Sequence, residues 1–315
     1  MKLLTVFDVY SGCAWYRTIL PALAAQARGH EVRLRMKECA KQDIEWCDVF
    51  QVQRFFESNA VAAIEHAKRA GKLTVYDVDD DLWAVGPKNT SYTFWQIHGD
   101  GAAQVMRMCD KVTTTGPDLA KTLSKFNPNV SIIPNALPDD WKHYGKAKHE
   151  GLVIGWAGGS GHIEDLEMVE DVLMEVLEAR PEVTLQLTGC GDWMEHPRIV
   201  HKEPVGVEVY HHRLSECDIA IAPLVDSRFN RAKSDLKPLE YAGCGIPVIA
   251  SKVGPYKGLD RGVLLAASSK DWRRYLLRLI DSAEERSRIG QEGLAWAQTR
   301  MIGKVVTRWE RAWAR

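Results

Sequence analysis

Phe229-Asn230-Arg231-Ala232-Lys233-Ser234-Asp235-Leu236-Lys237-Pro238-Leu239-Glu240-Tyr241-Ala242-Gly243-Cys244-Gly245-Ile246-Pro247-Val248-Ile249-Ala250 passes from a polar loop through a short helix into an apolar strand. Ser234 supplies an N-cap side chain, and a helix through about residue 242 places Lys237 and Glu240 three apart on one face. A cation and a carboxylate then point the same way. Unpaired N–H groups at a helix start attract anions, so Lys233 and Lys237 suit a diphosphate while Glu240 accepts hydrogen bonds from a ribose diol. The competing reading is a solvated surface helix carrying a salt bridge.

The same alternation of strand-length apolar runs with helix-period segments extends in both directions. In the first half, strands are expected at 3–7, 31–36, 73–76, 111–115 and 130–133, with helices at 15–28, from 58 to Gly71, up to Cys109 and after Pro117. In the second half, strands are expected at 152–157, 184–188, 219–222 and 247–250, with a helix over 165–179. The class is α/β with parallel sheets. Proline and charge interrupt the rhythm from Pro134 to Glu150, which divides the chain into a domain over 1–137, a linker over 138–149 and a second domain over 150–290. The remaining 291–315, Arg-rich with Trp309 and Trp313 at helical spacing, is expected to form a helix that crosses back to the first domain; a membrane or nucleic-acid anchor is the alternative.

With 315 residues, 45% hydrophobic and 26% charged, the chain has material for two cores and is neither disordered nor collagen-like. Lys and Arg number 41 against 42 Asp and Glu, which weakens a reading as a sequence-independent nucleic-acid binder. The apolar run at the start is too short for a signal-peptide core, and no stretch reaches the roughly 20 residues that span a bilayer. The expected location is the cytoplasm, including the inner membrane surface or a phage-infected cell as settings. The seven cysteines form no Cys-x-x-Cys pair and read as reduced, structural thiols; no metal-ligand pattern stands out.

Three further segments carry chemistry. Gly155-Trp156-Ala157-Gly158-Gly159-Ser160-Gly161-His162 follows a strand and precedes a helix, so Gly158, Gly159, Ser160 and Gly161 suit backbone contact with a phosphate, or simply a tight turn. Tyr76-Asp77-Val78-Asp79-Asp80-Asp81-Leu82-Trp83 gathers four carboxylates that must be solvated, paired, metal-bound or partly protonated. As Asp-x-Asp it fits a metal-bound nucleotide sugar or a phosphatase nucleophile pair; otherwise Asp79, Asp80 and Asp81 line an acceptor, or form a structural turn. His98 and Asp100, in an expected loop over 84–101 with Tyr92, Phe94 and Trp95, are candidates near an acceptor, the aromatics stacking on a sugar or base or packing as a lid.

The pattern Lys-Ser-x-x-Lys-x-x-Glu-Tyr-Ala from Lys233, the Gly-x-Pro-Val-Ile-Ala from Gly245 and the later Gly254-Pro255-Tyr256 resemble the donor-binding region of GT-B glycosyltransferases of the family 4 type. The glycine loop at 158–161 sits where that family's diphosphate loop is expected, and Ser11-Gly12-Cys13-Ala14-Trp15-Tyr16-Arg17 resembles its first loop. The Asp-Asp-Asp-Leu segment is similar to small bacterial and phage members. The resemblance implies a GT-B fold of two facing Rossmann-like domains and transfer of a sugar from a nucleoside-diphosphate sugar, UDP-sugar favoured and GDP-sugar the other candidate. It implies retention of configuration and no required cofactor or metal.

The implied donor residues are Gly158, Gly159, Ser160, Gly161, Asn230, Lys233, Ser234, Lys237 and Glu240, with Lys233 and Lys237 stabilising the leaving diphosphate and Glu240 holding the ribose. The implied acceptor side is Ser11, Gly12, Arg17, Asp79, Asp80, Asp81 and Trp95, with His98 and Asp100 as the remaining catalytic candidates. The family commonly has two glutamates with seven residues between them. Here the first position is Ala232, and Asp226 or Asn230 is the expected substitute for its contact with the sugar. The expected partners are the donor and an acceptor that is a glycan, a lipid or hydroxymethylated pyrimidine in DNA, and the expected assembly is a monomer or weak homo-oligomer. The alternatives are a non-catalytic nucleotide-sugar-binding protein and a magnesium-dependent sugar-phosphate phosphatase using Asp77 and Asp79.

Overall fold

The computed structural model describes residues 1–56, 58–143 and 151–315. Twelve parallel strands among them form two sheets. The first contains β1 (Lys2–Phe7), β2 (Glu31–Met36), β3 (Val49–Gln53), β4 (Leu73–Asp77), β5 (Lys111–Thr114) and β6 (Val130–Ile132), in the order β2-β1-β3-β4-β5-β6. The second contains β7 (Leu152–Ala157), β8 (Val183–Thr188), β9 (Ile199–Lys202), β10 (Ile219–Ala222), β11 (Val248–Ser251) and β12 (Val263–Ala266), in the order β12-β11-β10-β7-β8-β9. Central strands such as β4 and β10 are buried throughout, which is why they read as continuous apolar runs rather than alternating ones. Part of the expected linker, 144–149, lies outside the described residues.

In each sheet the chain leaves its first strand toward one side and later returns to the other. The reversal lies between β1 and β3 in the first sheet and between β7 and β10 in the second. At such a point the loops beyond the strand ends part and leave a crevice. The two crevices face each other.

Three strands escaped the sequence pattern: β3, β9 and β12. In β3 the apolar run is interrupted by Gln51 and Gln53, both buried; Gln51 is used, its carbonyl accepting from Trp313 Nε1 at 2.6 Å. β9 and β12 are four-residue edge strands. The expected helix over 165–179 is two, Ile163–Glu167 and Glu170–Ala179, with a break that keeps both Leu166 and Val169 buried.

The last helix, Ile302–Ala312, leaves the second sheet and packs on Leu20–Ala27 of the first half. Arg28 and Glu310 pair at 2.7 Å beside this contact. Trp309 and Trp313 are both buried there, their rings 5.6 Å apart. The chain crosses between the halves beside a second tie, where Ile302 N donates to Leu137 O at 2.7 Å and Arg300 to Asn135 O at 2.6 Å.

Candidate functional site

A cavity of about 410 Å³ lies between the halves, where the two crevices meet. Its second-half wall is built by two loop-to-helix junctions. After β7 the chain turns through Gly158 and Gly159 into the single turn Ser160–His162. A Cβ on Gly158 would stand 2.6 Å from Lys237 Nζ and 2.8 Å from the Trp156 ring, so only glycine lets the lysine reach this loop. After β10 comes the helix Arg228–Arg231, then Lys233 and Ser234, then the helix Leu236–Gly243 that carries Lys237 and Glu240. Lys233, Ser234, Lys237, Glu240, Gly158 and Gly159 all line the cavity.

Lys237 donates to Ala157 O at 2.6 Å and lies 4.2 Å over the Trp156 ring. Burial lowers its pKa to about 8, although Glu240 and Asp165 pull the other way. Glu240 is 4% exposed, and burial pushes its carboxyl up to about 7 against the Tyr16 hydrogen bond and the charge on Lys237. A cation and a carboxyl shifted this way by burial within one cavity mark a candidate functional site. Ser234 is not the N-cap expected. Its hydroxyl accepts from Asn135 Nδ2 at 3.0 Å, and the N-cap position falls to Asp235, whose carboxylate is bound by Arg300 at 2.7 Å.

The first-half wall carries Gly12, Cys13 and Tyr16 from the segment after β1, and Asp79 and Asp80 from the segment after β4. Ser11 caps the helical turn Gly12–Ala14, its hydroxyl accepting from Ala14 N at 3.3 Å. The aspartates are paired: Arg54 reaches Asp79 at 2.9 Å and Asp80 at 2.5 Å, while Lys233 of the other half reaches Asp80 at 3.4 Å. Burial acts against ionisation of Asp80, yet Lys233 and Arg54 hold it well below the usual carboxylate range. Arg54 holds a left-handed backbone, φ 55°, a strained conformation at the point where it meets both carboxylates.

Several expected site residues lie elsewhere. Arg17 is 0% exposed and faces the interior of the first half, where it binds Asp77 at 2.8 Å and 3.1 Å, Ile133 O and Asn135; it does not line the cavity. Asp77, the nucleophile of the phosphatase alternative, is closed in by this pair and by Thr113. Asp81 is 1% exposed and bound by Arg228 across the domain boundary at 3.0 Å. Asn230 turns inward, its amide donating to Asp165 at 2.7 Å and to Val225 O at 3.0 Å. Asp226 pairs with Arg231 on the surface. Neither therefore faces the cavity in place of the missing glutamate.

Gly161 lies beside Asn89 of the first half. The expected loop over 84–101 becomes helical at Tyr92, the start of Tyr92–Met108. His98 and Trp95 pack with Phe56 and Phe94, Asp100 is exposed, and none lines the cavity; Trp95 approaches it only through Arg54, 5.9 Å away. Tyr16 and Asn135 line the cavity, and Arg54 holds its Asp79 and Asp80; the sequence reading left all three without a role. Tyr16 had one available signal, its position four residues after Gly12, one helical turn along the same face.

Residues 170–305 match the model of the glycosyl transferase-like family. Over 200 residues the chain is 22% identical to the Bacillus subtilis (strain 168) protein TuaH, named for glycosyl transfer in teichuronic acid biosynthesis; the alignment covers 57% of this chain and 50% of TuaH. The chain thus matches half the length of that curated relative. Among solved structures it is similar to Anabaena HepE in complex with UDP and glucose, at TM-score 0.72 and 13% identity over 99% of this chain and 98% of HepE. It is also similar to an alpha-glucosyltransferase in complex with UDP and a 13-mer DNA, at TM-score 0.70 and 13% identity over 100% of both chains. The fold is GT-B, as the sequence resemblance implied, with a glycosyl transferase-like region in its second half.

Proposed function

We propose that the protein transfers a sugar from a nucleoside-diphosphate sugar, UDP-sugar first, to an acceptor hydroxyl, with retention of configuration and without a bound metal. The observation that carries this is the convergence of Lys233, Lys237, Glu240 and the Gly158–Gly159 backbone on one cavity. In this reading the lysines and loop N–H groups stabilise charge on the departing diphosphate, the larger electrostatic term in such a transfer. Glu240 accepts from the ribose diol. Asp79 and Asp80 are engaged by Arg54 and Glu240 by the ribose, which leaves none of these three carboxyls as the general base and suits a front-face reaction in which the leaving phosphate takes the acceptor's proton. Residues 1–137 then form the acceptor domain, 150–290 the donor domain, and 291–315 the return to the first.

Two acceptor classes follow. Likeness to a DNA-bound alpha-glucosyltransferase along the whole chain supports hydroxymethylated pyrimidine in DNA. The match to TuaH and the balanced charge support a cell-envelope saccharide or lipid at the cytoplasmic membrane surface, and among the described residues no helix is long and apolar enough to cross a membrane.

The test is release of nucleoside diphosphate from UDP-, GDP- and dTDP-sugars, with and without hydroxymethylated duplex DNA, in wild type, Lys237→Ala and Glu240→Ala. Consumption of a UDP-sugar by wild type and its loss in both variants is expected, and acceleration by DNA selects the first acceptor class. Tight UDP binding with no turnover of any donor would instead favour a binding protein.

A further inference from the structure

His162 ends the glycine-rich turn and lines the cavity, its side chain 22% exposed. Its ring is held from one side. Nδ1 lies 2.8 Å from Asp165 Oδ2, and Asp165 is itself fixed, because Oδ1 accepts from Val225 N at 2.8 Å and from Asn230 Nδ2 at 2.7 Å. A carboxylate can only accept, so Nδ1 carries the ring's proton and Nε2 keeps a lone pair. Burial, and after it the charge on Lys237 and Lys233, lowers the imidazole's pKa to about 4 despite Asp165, so the ring is neutral at pH 7. Nε2 has no hydrogen-bond partner among the described residues.

This acceptor stands among donors. Lys233, Lys237 and the loop N–H groups suit phosphate oxygens, and a diphosphate offers nothing to a lone pair. A hydroxyl does. The sugar half of a donor also lacks another evident partner, since Ala232 has no polar atom, Asn230 is turned inward and Asp226 lies on the surface.

We infer that His162, its ring locked by Asp165, accepts a hydrogen bond from a hydroxyl of the donor's sugar and thereby selects sugars that place a hydroxyl at that point. This rests on the donor-site reading above and extends it from the nucleotide to the sugar. Asp165 holds the ring in the accepting tautomer.

Calorimetric titration of the full chain with UDP, UDP-glucose and UDP-N-acetylglucosamine separates the two halves of the donor. His162→Ala is expected to bind UDP within about twofold of wild type and to lose about tenfold in affinity for the sugar nucleotide that wild type prefers. His162→Gln, whose carbonyl also accepts, should stay within about threefold. Asp165→Asn keeps both bonds on Oδ1 but presents an NH₂ to Nδ1, which moves the ring's proton to Nε2. It should reproduce the loss of His162→Ala in the ratio of UDP-sugar to UDP affinity, the ratio cancelling any effect of the lost charge on Lys237. Equal weakening of UDP and UDP-sugar in His162→Ala would overturn the inference, assigning the ring to the diphosphate or to structure. No change for either ligand would overturn it too. If wild type binds none of the three nucleotides, the donor-site reading falls and this inference with it; if wild type binds them and only the selective loss is missing, the donor site stands alone.

Discussion

Glu240 sits at 4% exposure, and burial raises its carboxyl from 4.5 to about 7. The folded protein therefore holds this proton longer than the unfolded chain does. The stability this contributes is complete below pH 4.5 and is lost as pH rises through 7. Glu240→Gln removes the pH-dependent loss, so its unfolding free energy should exceed wild type at pH 8 by on the order of 3 kcal/mol, seen as a higher melting temperature, and converge with it near pH 4.5. Donor affinity should fall in the same variant. Equal melting temperatures at pH 8 would show that Lys237 compensates the ionised carboxylate. Arg17 makes the opposite case, a charge that sequence position suggests for a ligand and packing assigns to the core. Arg17→Met leaves Asp77 buried without its partner and should cost about 3–5 kcal/mol in denaturant unfolding while leaving the UDP affinity of the folded protein unchanged. A loss of UDP binding with unaltered stability would return Arg17 to the cleft.

At the scale of elements, two neighbouring glycines should behave differently. An added Cβ on Gly158 meets Lys237 Nζ and the Trp156 ring, whereas one on Gly159 meets nothing within 4 Å. Gly158→Ala should push Lys237 from its seat, destabilise the fold by about 1–3 kcal/mol and weaken UDP binding. Gly159→Ala should leave the melting temperature near wild type. Thermal melts and calorimetry on the pair check this, and indifference at Gly158 would mean that Lys237 is not held where the loop is closest. The junction from β7 into this turn, and the helix that brings Lys237 and Glu240 to one face, were legible from residue order because both are local. The start of the helix at Tyr92 was not. Its first turns mix polar residues with half-buried Tyr92 and Trp95 and exposed Phe94, so no apolar stripe of helical period marks them.

Across the whole molecule, Asp80 of the first half holds Lys233 of the second, and Asp81 holds Arg228. Each contact puts a carboxylate of one half on a cation of the other, so under the proposed donor site a diphosphate would compete with Asp80 for Lys233. Asp80→Asn should release that cation and tighten UDP binding severalfold, since a partly exposed pair is worth up to about 1 kcal/mol. Turnover should not rise with affinity if, as proposed, the same carboxylate belongs to the acceptor side. Titration with UDP and a nucleotide-release assay on the one variant separate the effects. Weaker UDP binding in Asp80→Asn would mean that Asp80 organises Lys233 for the donor instead of competing for it.

The residue order by itself determined the α/β class, the parallel strands with unbroken apolar runs, and the short segment where Lys233, Ser234, Lys237 and Glu240 gather, since periodicity and i to i+3 spacing are local properties. The tertiary structure decided which charges face ligand and which face protein. Arg17 and Asp77 are 60 residues apart, and Asp80 and Lys233 are 153 apart. No pattern along the chain distinguishes an arginine that will meet phosphate from one that will meet a buried carboxylate. That choice is made by the energy of leaving a charge unpaired away from water, and the partner exists only once the sheets have formed and the last helix has crossed back.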